Sequence, residues 1–458
     1  MAFCLYLYSE YKPYHLFSTN IHRQMRTYTI EEVAREMGMT LKAVRRFVAS
    51  GELRASRRNT TYAISEKAFE DFKKYISKGG DKKRTLELEK QFHNTAKPPS
   101  LFCEDDFSDN NAPQNRYGDK VRMVDIIPYW DEPGTSKATF VDLFCGAGGL
   151  SLGLEMAGLN GICGLDFFKE AGKTYRRNFK HPFVNGDIRK EETKKAFYDT
   201  VKEQLAGRRL SLVAGGFPCQ GFSMSGNRII DDPRNSLYKE LVEIVSKLRP
   251  DFVVCENVKG LRTMLDGKVE KKILDDFKAI GYDMRVTTLC AADYLTPQKR
   301  ERVVFIGNRK GLVNCYPMPL IPPDEYMTTE DAISDLMDHP ADKAFNHVPT
   351  RHSPEMARRI METPEGKSLY KGYSDSWKKC PWDAPSCTIK ENHGGVNLHP
   401  KLPRVLTARE MARLQSFPDE FIFEGPKSKQ LVQIGNAVPP LLGKAVGLAV
   451  RYAMGDFH

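Results

Sequence analysis

The chain is predicted to be an α/β protein: a mostly parallel sheet covered by helices, a smaller irregular lobe, and a mostly helical domain ahead of both. Three observations carry this. Apolar, strand-like runs (ATFVDLF, GICGLDF, SLVAGGF, FVVCENV, VVFIG) alternate with stretches of helical period from Lys137 to about Arg309. That alternation is βαβ logic, because parallel strands need crossover helices. The rhythm is lost over 310 to about 400, where Pro, His, Trp and Lys are scattered, and strong helical character returns over 401–458. At 458 residues the chain exceeds one ordinary domain, so two or three folding units are expected.

The N-terminal organisation follows from punctuation. Residues 1–24 are an aromatic-rich extension without period, ending just before Met25, a second candidate start. Over 25–76, TIEEVAREMGMTLKAVRRFVASGEL reads as a helix, a turn at Gly38 and a second helix capped by Thr40 and closed near Gly51, the spacing of a helix-turn-helix. Lys42, Arg45 and Arg46 lie on the polar side of that second helix, where they suit DNA phosphates. RASRRNTTYAIS is expected to form a hairpin or wing and EKAFEDFKKYI a closing helix, which together resemble the excisionase and MerR-type winged helix. The polar stretch 77–136 reads as a linker.

Composition narrows the function classes. A formal net charge of +10 favours a polyanionic partner, nucleic acid before membrane. No apolar run approaches the roughly 18–20 residues that span a bilayer, and no signal-peptide pattern opens the chain, so a cytoplasmic protein is expected. The ten cysteines are scattered without a CxxC pair; reduced thiols and no metal site are expected.

The chemistry is concentrated at predicted strand ends. Phe140–Phe144 is followed by CGAGG and then a helix from about Leu150, so glycines sit on a strand-to-helix turn where a ligand can touch backbone. A nicotinamide-binding GxGxxG would need glycine where Ser151 stands. Asp166 closes the next strand and Asp187 follows the third, and carboxylates there can meet ribose hydroxyls; together these features suggest an adenosine-containing cofactor. In GGFPCQGFSMSG, Cys219 follows a strand. A cysteine is usually inert core, but here Pro218 and Gln220 bracket it and Glu256 ends another strand on the same sheet edge. QKRER precedes VVFIG, and alternation puts Gln298, Arg300 and Arg302 on one anion-binding face.

In order, FVDLFCGAGGLSLGLEMAG, GDI, GGFPCQGFS, ENVKGL, QKRER, LTAREMARLQSFPD and QIGNAVPP resemble the motif series of the DNA cytosine-5 methyltransferases, from about Ala138 to Met454. The resemblance implies a Rossmann-like, S-adenosylmethionine-dependent catalytic domain over 137–309, a target recognition domain over 310–400, and a return to the catalytic domain over 401–458. It implies Cys219 as nucleophile on a flipped cytosine and Glu256 on the exocyclic amine and ring nitrogen 3. Arg302 would orient the base and Glu256, with Arg300 near the thiolate. Phe144, Gly146, Ala147, Gly148, Gly149 and Leu150 would surround the methionine moiety. Asp166 and Phe167 would meet ribose and adenine, and Asp187 and Ile188 the adenine edge. Pro218, Leu237, Asn436 and Val438 would complete the pocket. Where the family commonly has Glu for the ribose, this chain has Asp166. Gln220, Ser223, Ser225 and Gln298 would meet double-stranded DNA. The partners implied are DNA and, without stable complex, a cognate restriction endonuclease, with the enzyme itself a monomer. Two alternatives remain at this stage: a transfer-RNA cytosine methyltransferase and a DNA-binding regulator with an inert methylase lobe.

Overall fold

The computed structural model describes residues 27–37, 44, 47–48, 53, 56–58, 61–77, 114–218, 236–372, 377–390 and 396–457. The chain divides into two compact units, residues 1–97 and 98–458.

In the first unit, β1 (Thr27–Tyr28) leads into α1 (Ile30–Met37), and β2 (Ser56–Arg58) and β3 (Thr61–Ser65) lead into α2 (Glu66–Ser77). The strands form an antiparallel sheet in the order β1-β3-β2. Thr29 caps α1: its hydroxyl accepts from the Glu32 amide at 3.2 Å while the Glu32 carboxylate accepts from the Thr29 amide at 2.8 Å. Val33, Val44, Ile64, Phe69 and Phe72 are buried together. The hairpin and closing helix occur where the sequence suggests them. Lys42, Arg45 and Arg46 lie outside the described residues.

The second unit begins earlier than the sequence suggests. From Gln114 the expected linker is already built in: β4 (Arg122–Val124) pairs in parallel with β12 (Cys315–Pro317), and α3 (Ile127–Trp130) buries Trp130. The apolar side chains responsible, Val121, Val124, Ile126 and Trp130, are spaced too irregularly to give a period, and only the distant β12 gives them a partner.

The central sheet has seven strands in the order β10-β11-β9-β8-β5-β6-β7. Its members are β5 (Thr139–Leu143), β6 (Asn160–Asp166), β7 (Phe183–Asn185), β8 (Leu212–Gly215), β9 (Phe252–Val258), β10 (Asp283–Cys290) and β11 (Glu301–Asn308). Strands β5 to β9 pair in parallel, whereas β11 runs antiparallel to both β9 and β10. The parallel strands alternate with α4 (Gly149–Met156), α5 (Lys169–Asn178), α6 (Glu191–Leu205) and α7 (Ser236–Leu248), and α8 (Lys268–Ala279) precedes β10. Strand order reverses around β5, which has β6 on one side and β8 on the other. Open α/β sheets bind ligands at the carboxyl ends beside such a switch point.

Among the described residues of the expected irregular lobe the elements are short, including α9 (Thr329–Ile333) and α10 (Pro354–Glu362). Three helices follow: α11 (Ala408–Leu414), α12 (Lys427–Asn436) and α13 (Pro440–Ala453). Helix α13 lies against α4 so closely that a Cβ on Gly153 would stand 2.4 Å from the Pro440 carbonyl oxygen and 2.6 Å from the Gly443 Cα. That approach returns the end of the chain to the beginning of the sheet. Among the described residues no helix is long and apolar enough to cross a membrane.

Candidate active site

One cleft of about 1640 Å³ opens at the carboxyl ends of β5, β6, β8 and β9. Its first wall is the turn after β5. Phe144 leaves the strand at φ +57° and Gly148 enters α4 at φ +97°. Holding a phenylalanine in the left-handed region costs about 1–3 kcal/mol, a strain typical of ligand-binding turns. Gly149 brings the C-terminal segment in: a Cβ there would lie 2.2 Å from the Val438 carbonyl oxygen. Phe144, Gly146, Ala147 and Leu150 border the cleft, as do Asn436 and Val438 opposite them.

The end of β6 supplies a carboxylate and a ring. Asp166 is 8% exposed and accepts from the amides of Gly146 at 2.9 Å and Phe168 at 2.8 Å, so it ties the two turns together while facing the cleft. Burial pushes its carboxyl up. Phe167 beside it is 76% exposed, a large apolar ring with an open face. Further out, the expectation changes. Asp187, Ile188 and Leu237 do not border the cleft. Asp187 lies beyond β7 at the sheet edge, where the Arg189 guanidinium takes its carboxylate at 2.6 Å and holds it below the usual range. Ile188 and Leu237 belong to the apolar layer beneath the sheet.

One polar group here was not found from sequence. Asp142, within β5, is 1% exposed; Ser151 donates to its Oδ2 at 2.6 Å, and its Oδ1 has no partner although the residue faces the cleft. Burial pushes this carboxyl up to about 7. An unpaired buried acceptor is costly, so the site suits a ligand bringing a cationic or N–H donor. The glycine turn, the open Phe167 ring and this acceptor fit the amino-acid and adenosine ends of S-adenosylmethionine.

At the other end stand Glu256 on β9 and Arg302 on β11, 2.8 Å apart between Oε1 and Nε. Burial raises the Glu256 carboxyl, while Arg302 and Arg300 pull it down. Gly216 and Pro218, which precede Cys219, line the cleft next to Glu256; a Cβ on Gly216 would come within 3.2 Å of Oε2. Asn257, also missed by sequence, donates from Nδ2 to the Phe217 carbonyl at 2.9 Å and so pins the approach to Cys219 against β9. Its signal is the Asn that follows Glu in ENVKG. Cys219, Gln220, Ser223 and Ser225 themselves lie outside the described residues.

The expected anion-binding wall of Gln298, Arg300 and Arg302 is divided. Only Arg302 meets a carboxylate. Arg300 is 2% exposed and donates to the carbonyls of Ile389 at 2.8 Å and of Gly435 and Ala437, both at 3.0 Å. It is a strut joining the irregular lobe to the C-terminal segment, and burial pushes its guanidinium well down. Gln298 is fully buried, donating to the Leu414 carbonyl and the Gln415 side chain and accepting from the Ile389 amide, which removes it from any DNA-facing surface. Both precede β11, which starts at Glu301, so strand alternation does not govern them. Among the described residues no group of three or more His, Cys, Asp or Glu is placed to hold a metal.

Comparison with known proteins is consistent with this geometry. Residues 138–451 match the family C-5 cytosine-specific DNA methylase. The Type II methyltransferase M1.HphI of Haemophilus parahaemolyticus is 37% identical over 328 residues, covering 68% of this chain and 86% of that protein. The Type II methyltransferase M.BsuRI of Bacillus subtilis is 32% identical over 431 residues, covering 79% and 91%. Among solved structures, a prophage-encoded E. coli protein assigned as a DNA modification methyltransferase superposes with a TM-score of 0.55 at 25% identity, covering 70% of this chain and all (100%) of that one. The methyltransferase EhMeth of Entamoeba histolytica, at 17% identity and a TM-score of 0.51 over 71% of this chain and 100% of that one, shares the fold.

Proposed function

The chain belongs to the C-5 cytosine-specific DNA methylase family, and from that footing we propose how its own residues carry out the reaction and in what setting. The activity is methyl transfer from S-adenosylmethionine to carbon 5 of cytosine in DNA. When bound, the cofactor supplies an electrophilic methyl group on a sulfonium.

Carbon 5 of a neutral cytosine is a weak nucleophile, so the ring must first gain electron density. The Cys219 thiolate bonds to carbon 6; Glu256 holds the exocyclic amine and gives a proton to ring nitrogen 3, turning the ring into an enamine. A carboxyl raised by burial beside Gly216–Pro218 is suited to that donation, and this is the observation that carries the proposal. Arg302 keeps Glu256 in position. Once carbon 5 is methylated, a base takes its proton, the carbon–sulfur bond breaks to return the thiolate, and ring nitrogen 3 gives its proton back to Glu256. A stacked base cannot reach this cleft, so the cytosine is flipped out of the duplex. At the other end, Asp142 and the glycine turn hold the amino-acid portion of the cofactor, and Asp166 with Phe167 holds ribose and adenine.

The setting we infer is the modification half of a restriction-modification system: a cytoplasmic monomer acting on a specific sequence in double-stranded DNA, alongside a cognate endonuclease without stable complex. Residues 310–400 act as target recognition domain. The basic N-terminal unit acts as a winged helix that adds DNA affinity or binds its own operator. Removing residues 1–97 then weakens duplex binding; unchanged binding to both target and promoter DNA rejects that role.

The central test is Cys219→Ala. Transfer of labelled methyl groups to duplex DNA should fall by about 10⁴-fold or more, with cofactor binding retained. An undiminished rate, or transfer to transfer RNA alone, overturns the reading.

A further inference from the structure

Two of the side chains at the mouth of the cleft, Arg116 and Tyr117, come from a part of the chain that precedes the family region at 138–451. They occupy the tip of the turn Asn115–Asp119, and that turn is anchored at both ends. Asn115 accepts from the amides of Tyr117 at 2.9 Å and Asp119 at 3.1 Å, and donates to Thr287 on β10 at 2.6 Å. The Asp119 carboxylate accepts two hydrogen bonds from the Arg262 guanidinium, each 2.7 Å, and one from Thr287 at 2.8 Å. The anchors face the sheet. Of the three residues between them, Arg116 and Tyr117 face the cleft.

At the tip the charges are layered. Arg116, whose side chain is 39% exposed, lies over the Asp293 carboxylate, which is 3% exposed, and also reaches Tyr326 at 3.3 Å. At Arg116 the anion is therefore beneath and the cation outward, while Glu301, 38% exposed, stands between Lys259 and Tyr117 and holds both at the rim. The Tyr117 ring has the Arg116 guanidinium 4.9 Å from its centroid and the Lys259 ammonium 5.5 Å away. Lys259 follows directly on the strand that carries Glu256, and its ammonium lies 2.9 Å from Glu301. Lys299 adds another exposed cation to the same rim. A turn that served only to fill space against β10 would not need an arginine, a tyrosine and a lysine stacked at an open mouth.

When a nucleotide leaves the helix, the phosphodiesters on either side of it are drawn to the mouth of the pocket that receives the base. Cationic and hydroxyl donors held there contact backbone rather than sequence. We propose that the turn Asn115–Asp119 is a DNA-backbone clamp in which Tyr117 and Lys259, braced by Arg116 as a positioning residue, hold the phosphodiester beside the extruded cytosine. This rests on the assignment of the Glu256 end of the cleft as the cytosine pocket.

The test uses the full-length chain with Tyr117→Ala, Tyr117→Phe and Lys259→Ala; Arg116 is left in place because removing it strands the buried Asp293 carboxylate. Duplex affinity is measured across about 50–200 mM salt, together with KM and kcat for DNA, cofactor affinity and thermal midpoint. For Lys259→Ala, affinity should fall about tenfold and the slope of log K against log salt should shrink by about 0.9, the loss of one phosphate contact. Tyr117→Ala should weaken binding less, with Tyr117→Phe between it and the native chain. In each case KM rises more than kcat falls, while cofactor affinity and thermal midpoint hold. An unchanged salt slope overturns the clamp. So does a parallel fall in thermal midpoint and cofactor affinity, which would make the turn a structural plug. Should Glu256→Gln keep its full rate while Lys259→Ala still loses DNA affinity, the cytosine-pocket assignment fails and DNA contact by the rim stands apart from it.

Discussion

At the β5 end of the cleft the chain presents mostly backbone, whereas at the β9–β11 end it presents charged side chains stripped of water. The first end is built from a turn with two left-handed glycines and a strained Phe144, and its position is set by neighbours a few residues away. The second is built from Glu256, Arg302 and the approach to Cys219, with Asn257 as the tie; its partners come from three different strands. Backbone geometry tolerates no added atom but is indifferent to charge. Ionised groups tolerate small changes of shape but depend on each other's protonation. The two ends should therefore fail differently.

The largest effect is expected at the charged end. Glu256→Gln keeps the size of the side chain but cannot give a proton to ring nitrogen 3. Methyl transfer should fall by about 10²–10⁴-fold, while cofactor affinity changes little. Cofactor binding lost in proportion to rate would show that the two ends are not separable. Next comes the backbone end. Gly149→Ala forces a methyl group against the Val438 carbonyl, and the turn and the C-terminal segment must part. Cofactor affinity should drop about tenfold or more and stability by about 1–3 kcal/mol, both readable by calorimetry and thermal unfolding. Unchanged cofactor affinity would break the claim that this end works through close backbone approach.

The smallest effect mixes the two kinds of end. Asp142 is a buried carboxylate within β5 whose Oδ1 has no partner, and burial pushes it up to about 7 from an ordinary 3.8. Between those values the folded chain holds a proton that the unfolded chain has released, so the group's contribution to stability declines as pH rises from about 4 to about 7. Without cofactor, Asp142→Asn should therefore stabilise the protein at pH ~8 by about 1–2 kcal/mol and bring little gain at pH ~4. Equal unfolding midpoints at pH ~8 would show that this carboxylate is not stranded.

The same contrast explains what was legible in the sequence. The β5 turn could be read because strand, glycines and helix follow one another within a dozen residues, and the structure sets them where the spacing implied. Glu256 and Arg302 could be read as strand-end residues, but their ion pair depends on the antiparallel pairing of β11 with β9, which no local pattern announces. Strand β10 itself, DMRVTTLC, has neither clean alternation nor a solid apolar run, so it escaped notice. Arg300 borders the cleft near Glu256 as expected, but its hydrogen bonds, and those of Gln298, were not foreseen for a related reason. Their fates are fixed by carbonyls and amides more than 80 residues away, at Ile389, Leu414, Gly435 and Ala437. Asp187 was read as a strand-end carboxylate, but its pairing with Arg189 two residues on was not foreseen, because such a carboxylate looks alike whatever takes it.

The contact between Gly153 and Gly443 has a consequence for folding. The helix that opens beneath the cofactor turn has one face covered by α13, which lies across it. A chain lacking residues 440–453 is therefore expected to lose the apolar cover that α13 gives Leu150 and Leu154 beneath the cofactor turn. Competence to bind the methyl donor thus waits on the docking of α13, a contact between segments nearly 300 residues apart, rather than on the local β5 turn alone.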